Sequence, residues 1–185
     1  QNLEILNVSN CKLNNNSLKE ITSLKLRALS ATGNNDITAA GINNLKGFGQ
    51  IDLLYLSGNN IDDNNLKTIL ALRPATLDIA FTKVSPAGLK LIADCDFIEV
   101  LGLAGLNLTD RDLEPLAKMK LKSLSIESNR LTDACFETLA KMKNLKTLSL
   151  KKSLRHSIPG HSNDGVTGSG IEQFRKLAPN CLINN

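Results

Sequence analysis

Seven times along this chain the sequence returns to one spacing: leucine, two residues, leucine, one residue, leucine. The segments LEILNVSNCKL, LRALSATGNNDI, IDLLYLSGNNI, PATLDIAFTKV, IEVLGLAGLNL, LKSLSIESNRL and LKTLSLKKSL follow the pattern L-x-x-L-x-L-x-x-N-x-L. Their middle leucines, Leu6, Leu29, Leu54, Leu77, Leu101, Leu124 and Leu148, recur every 23 to 25 residues. A fixed period of this length constrains the fold more tightly than any composition, because each unit is one supersecondary element that must bury its apolar face on its neighbours.

Within a unit the apolar period changes once. Alternating residues such as Leu54 and Leu56, or Leu148 and Leu150, place two side chains on one face of a short strand and turn Tyr55 and Ser149 to the other. The spacing then becomes helical: Leu113, Leu116 and Ala117, then Phe136, Leu139 and Ala140, fall on one side of a helix of about three turns. Thr38, Ser85, Thr109, Thr132 and Thr167 precede these segments as candidate N-caps, and Pro86 suits the first helical position. Asn34, Asn59 and Asn129 recur where the chain leaves the strand, and an amide there can bond backbone groups of adjacent turns. Cys11, Thr82, Leu106 and Ser153 hold the equivalent place, and Leu106, without hydrogen-bonding groups, predicts a weaker turn.

Burying a leucine side chain contributes about 1.5–3 kcal/mol, while ordering each residue costs about 1–2 kcal/mol, so a lone repeat loses and a stack wins. The expected fold class is therefore α/β: a curved solenoid of seven to eight repeats, with a parallel concave sheet and convex helices. It forms one domain over residues 1–185, interrupted by an insertion at 154–165 in the last full repeat. The eighth repeat is partial, with Val166 as its turn residue and Cys181 and Ile183 as its apolar pair.

These residues and their register resemble the leucine-rich repeat family over essentially the whole chain. The segments TAAGINNLKG, SPAGLKLIADC and TDACFETLAKM look like the cysteine-containing and G-A-L-A repeats of F-box proteins and of bacterial effectors. Longer repeats of about 28 residues, as in ribonuclease inhibitor and the Ran GTPase-activating type, do not fit the period. The shorter internalin and bacterial ubiquitin-ligase repeats do not fit it either. What the resemblance implies is a recognition scaffold with a protein partner, as an effector or effector-like protein. The alternative it implies is the substrate-recognition part of an F-box ubiquitin-ligase adaptor. Either role places the chain inside a cell, an effector having been secreted into a host cytoplasm.

Outward strand positions would line the concave face. Most are small: Asn7, Ser9, Ser30, Thr32, Ser57, Gly102, Ala104, Ser123, Ser125 and Ser149. Against them stand Tyr55, Asp78, Phe81, Glu127, Lys151 and Lys152, the candidate partner-binding residues. Tyr55, the single tyrosine, is a candidate anchor, with plain coverage of aliphatic neighbours as its bland counterpart. Lys151 and Lys152 would favour an acidic partner surface. In the insertion, Arg155, His156 and His161 form a possible contact loop.

Composition removes several other classes. With 42% apolar but only 3% aromatic residues, the core must be aliphatic. No run of eighteen apolar residues exists, so no membrane span is expected. The start at Gln1, without methionine or signal segment, predicts a fragment or a processed form. The four cysteines are too widely spaced for a metal knuckle and read as reduced, buried small residues. Residues 118–155 hold ten Lys/Arg against three Asp/Glu, yet Lys118, Lys120, Lys141 and Lys143 fall at helix ends, without the interleaved aromatics of a nucleic-acid site. No nucleic-acid partner and no cofactor is expected, and the oligomeric state stays open.

Catalysis is not expected either. A metal-dependent enzyme built on His156, His161 and Asp164 lacks an evident fourth ligand, and GVTGSG lacks the lysine of a phosphate-binding loop.

Overall fold

The computed structural model describes residues 3–150 and 163–184. Eight three-residue strands, β1 (Ile5–Asn7), β2 (Ala28–Ser30), β3 (Leu53–Tyr55), β4 (Thr76–Asp78), β5 (Val100–Gly102), β6 (Ser123–Ser125), β7 (Thr147–Ser149) and β8 (Leu182–Asn184), form one parallel sheet in chain order. Every pairing is in the register that the sequence period requires: Leu29, Leu54, Leu77, Leu101, Leu124, Leu148 and Ile183 stand side by side along one row. That row and the parallel one of Leu56, Ile79, Leu103, Ile126 and Leu150 are buried and form the spine of the core. Ile5 and Leu182 belong to the outward row, in register with Leu53, and are 69% and 64% exposed; as members of the first and last strands each also has a neighbouring strand on one side only.

The return segments lie on the other side and are less uniform than the expected three-turn helices. They comprise α1 (Asn15–Glu20), α2 (Ala39–Asn44), α3 (Asp63–Ala71), α4 (Pro86–Ala93), α5 (Cys135–Leu139) and α6 (Gly168–Leu177). The fifth repeat, where Leu113 and Leu116 suggested an α-helix, forms a 3₁₀ segment over Asp110–Lys118 instead. Pro115 lies inside it and has no N–H to offer an α-helical bond, so the tighter winding takes over. Leu113 and Leu116 are buried all the same, so the core is kept while the hydrogen-bond pattern changes.

Two of the expected caps act as such: the hydroxyls of Ser85 and Thr167 accept from the N–H groups of Ala87 and Gly170, while the Thr132 hydroxyl accepts from Ala134 N–H one turn position ahead of α5. Thr109 instead donates its N–H and hydroxyl to Asp112. Thr38 turns to the preceding repeat, its N–H donating to Asn15 Oδ1 at 2.9 Å and its hydroxyl accepting from Asn15 Nδ2. The same link joins Ser85 to Asp63, Thr132 to Asp110 and Thr167 to Asp133, each through an N–H donated at 2.8–2.9 Å. A short acceptor at the start of one helix thus satisfies the cap residue of the next repeat, a rim ladder that helix-by-helix reading of the sequence misses.

The expected asparagines make their ladder bonds and are buried. Asn129 Oδ1 accepts from the N–H groups of Leu106 and Leu108 (3.1 and 3.0 Å), while its Nδ2 donates to the carbonyls of Leu103 and Ile126 (3.0 Å each). Asn34 and Asn59 repeat this arrangement, and Cys11 N–H donates to Asn34 Oδ1. The fourth asparagine is Asn163, which accepts from Asn129 N–H and Leu131 N–H and donates to Ile126 O. It makes the ladder bonds that the sequence spacing assigned to Ser153. Ser153 itself lies outside the described residues.

Past that interruption the stack closes as before. Thr132 bridges Gly165, and the rings of Phe136 and Phe174 stack at 5.0 Å between α5 and α6. Cys181 and Ile183 are buried, and Val166 packs against the core as its turn residue. The cysteines divide: Cys135 and Cys181 are buried as expected, whereas Cys11 is exposed and Cys95 is half-buried against the core. Burial pushes the Cys135 thiol up to about 12, with Asp110 and Asp133 adding to it, so it is inert at neutral pH.

Candidate interaction site on the concave face

A hollow of about 300 Å³ opens on the exposed face of the sheet at its middle, across β3 to β6. Tyr55, Asp78, Phe81 and Glu127, the four larger residues that the outward positions singled out within the described chain, all line it. Their small neighbours Ser57, Gly102, Ala104, Ser123 and Ser125 form its floor. Lys151, Lys152, Arg155, His156 and His161 lie outside the described residues. Thr76 and Val100 also line the hollow and were missed by the sequence reading. They stand in register with Ser123, one row before the leucine spine, so the row that yielded Ser123 could have yielded both.

The hollow exists because two successive repeats differ in bulk. Asp78 and Phe81 project from the fourth repeat, and one period later stand Gly102 and Gly105. A Cβ on Gly102 would collide with the Asp78 carboxylate, and one on Gly105 would collide with the Phe81 ring. Each large side chain therefore leans across a glycine of the next repeat, and with Ala104 these glycines leave the floor low.

Phe81 occupies a position that six repeats hold in the left-handed region: Asn10 (φ 56°), Gly33 (69°), Gly58 (68°), Phe81 (54°), Gly105 (67°) and Ser128 (54°). Glycine or asparagine adopts this conformation at little cost, whereas for a bulky side chain it costs about 1–2 kcal/mol. Phe81 is nevertheless 36% exposed at the mouth of the hollow. Backbone strain retained at an exposed aromatic beside a cavity is the pattern of a residue held for binding.

Asp78 is half-buried in the wall and accepts Ala80 N–H at 3.0 Å. Burial raises its carboxyl above the ordinary carboxylate range; the Ala80 bond opposes the shift and the charge of Glu127 adds to it. The described cations lie elsewhere. Lys122 pairs with Glu99 and Lys118 with Asp94, both at 2.7 Å, and Lys143 donates to Ala140 O at a helix end. Thus the lysine-rich segment is partly neutralised along the edges of the solenoid, while the described centre of the concave face carries carboxylates. The acidic partner surface expected from Lys151 and Lys152 rests on residues outside the description.

No family model and no curated protein sequence matches the chain. Among solved structures it is similar to an internalin (inlF) from Listeria monocytogenes strain 4b F2365, with a TM-score of 0.52 and 24% identity. The fold is a leucine-rich repeat solenoid. The similarity covers 74% of this chain and 37% of the internalin, so the chain spans little more than a third of that protein's length. The likeness is one of fold; the repeat period of 23 to 25 residues stays as the sequence has it.

Among the described residues no helix is long and apolar enough to cross a membrane, and no group of three His, Cys, Asp or Glu could hold a metal ion. Both histidines lie outside that description.

Proposed function

We propose that this solenoid is a protein–protein interaction scaffold without catalytic activity, holding a partner protein across the middle of its concave face. The observation that carries the reading is the convergence of Tyr55, Asp78, Phe81 and Glu127 on one hollow. A rigid sheet presents them, so little ordering entropy opposes binding, and aromatic residues at the centre of a depression are typical energetic anchors.

The test is capture of binding partners by the protein and by a variant combining Tyr55→Ala, Asp78→Asn and Glu127→Gln. Capture is expected to be lost while the circular dichroism spectrum and unfolding midpoint stay near those of the parent; unchanged capture sinks the reading. The finer alternatives concern the role of the scaffold. Residues encoding an F-box upstream of Gln1 would make it a ubiquitin-ligase substrate receptor, and delivery of the full-length protein into host cells would make it an effector.

A further inference from the structure

The positions just before the strands form a row of their own along one rim of the sheet. Arg27, Asp52, Ala75, Glu99, Lys122 and Lys146 follow one another there, joined from repeat to repeat by backbone N–H groups donated to the carbonyl of the preceding member. Arg27 pairs with Asp52 and Lys122 with Glu99, both at 2.7 Å. Lys146 breaks this matching of charges, because the member that follows it is Cys181.

A cavity of about 480 Å³ opens at the break. Lys120, Lys122, Lys143 and Lys146 line it, and Glu99 is the one carboxylate among its described lining residues. That carboxylate is held by Lys122, and Lys143 donates to Ala140 O. Lys120 and Lys146 make no ion pair or side-chain hydrogen bond among the described residues. Every Asp and Glu of the chain stands at a described position and residues 151–162 contain neither, so no further side-chain carboxylate of this chain is left to neutralise the cluster. Leu150 and Asn163, which flank those residues, do not line the cavity.

Lys122 and Lys146 lead into neighbouring strands, about 4.8 Å apart, a spacing at which like charges disfavour each other. An anionic occupant relieves that repulsion, and a neutral or cationic one does not. The lining also selects among anions. Single-stranded nucleic acid asks for rings on which its bases stack, and no aromatic residue is among the described lining residues. The side-chain amides of Asn144 and Asn180 supply donors and acceptors of the kind a peptide backbone uses. One exposed ion pair contributes little, so a lone carboxylate would not be held, whereas several on one chain engage several lysines together.

We infer that this cavity is a docking site for an acidic segment of a partner protein, a run of Asp or Glu side chains pairing with Lys120, Lys143 and Lys146 while Asn144 and Asn180 bond its backbone. It shares no lining residue with the concave hollow and gives the scaffold a second contact surface of opposite charge preference.

The probe is an N-acetylated, C-amidated hexaglutamate peptide, titrated at constant ionic strength against the ¹⁵N-labelled protein, with hexaglutamine as its neutral counterpart. Saturable shifts are expected at the amides of Lys122, Asn144, Lys146 and Asn180, and hexaglutamine should bind at least about tenfold more weakly. The variant Lys120→Gln, Lys146→Gln breaks no described contact and should weaken hexaglutamate binding at least about tenfold. The variant Lys25→Gln, Lys67→Gln removes the same charge away from the cavity and should bind like the parent. Equal weakening in the two variants, shifts scattered over the surface, or no saturable response in the millimolar range overturns the site. Tighter binding of an oligothymidylate of equal charge overturns it too, since the patch would then serve nucleic acid. Absent peptide binding with capture still lost in the triple concave variant removes the rim site alone; peptide binding with capture unchanged in that variant removes the concave reading alone.

Discussion

The turns that leave β2, β3 and β6 and the turn that leaves β4 do the same geometric task with different chemistry. In the first group a buried asparagine satisfies backbone groups of its own and the preceding repeat, and the left-handed position is Gly33, Gly58 or Ser128. After β4 the ladder place is Thr82, whose hydroxyl donates back to Ile79 O at 2.7 Å, and the left-handed position is Phe81. One repeat on, Leu106 has no amide to continue the chain of bonds. The ladder therefore runs in two parts, through Asn34 and Asn59 and through Asn129 and Asn163, and the concave hollow lies between them. The contrast shows where this solenoid spends its backbone regularity on stability and where it gives some up to display Asp78 and Phe81.

The sharpest way to break this comparison is to remove a ladder amide. Asn129→Leu orphans the N–H groups of Leu106 and Leu108 and the carbonyl of Leu103, and leaves Ile126 O with its Asn163 bond alone, at about 1–3 kcal/mol for each buried group left unpaired. A loss of at least about 3 kcal/mol is expected in urea unfolding, whereas Thr82→Val should cost only about 1 kcal/mol for its single hydroxyl bond. Similar losses at the two sites would show that the central turn is as dependent on its ladder residue as the others.

A smaller effect comes from exchanging the left-handed residues. Gly58→Phe should cost about 1–2 kcal/mol, because a side chain is forced into the disfavoured region. Phe81→Gly should change stability by less than about 1 kcal/mol, relief of the backbone offsetting the lost ring contact. A large destabilisation by Phe81→Gly would make that ring a packing residue first.

The smallest effect is the pH dependence of Asp78. Its folded carboxyl is raised above the unfolded value of 3.8, so the proton is held more tightly in the folded state. The associated stability is fully present below the unfolded value and is lost as pH rises through the folded one. Asp78→Asn should remove this part of the acid-side profile and leave the protein slightly more stable than the parent at neutral pH. Thermal unfolding of the two proteins across the acid range measures it. Asp133 has the opposite sign, since the Thr167 N–H and hydroxyl lower its carboxyl, and its contribution is lost as pH falls. A variant Asp78→Asn that lost stability at neutral pH would contradict the strained-site view of the central turn.

The strands, their register, the two buried rows and the amides of Asn34, Asn59 and Asn129 were legible in the sequence. Each follows from a spacing that repeats and depends only on the residue's own place in the period. The outward positions Tyr55, Asp78, Phe81 and Glu127 were legible for the same reason. What the period could not supply was any consequence of which two residues meet across neighbouring repeats. Asn163 could not be recognised as a ladder member because residues 151–162 separate it from the spacing that identifies the others. The pairing of Asp78 with Gly102, of Phe81 with Gly105 and of Thr132 with Asp110 likewise depends on side-chain size and direction at one shared register. Sequence periodicity determined that this chain stacks and which side chains face inward. The tertiary structure decided where the concave face sinks, which carboxylate is left half-buried there, and so what kind of group the surface can receive, because cavities and charge environments belong to pairs of repeats and not to any one of them.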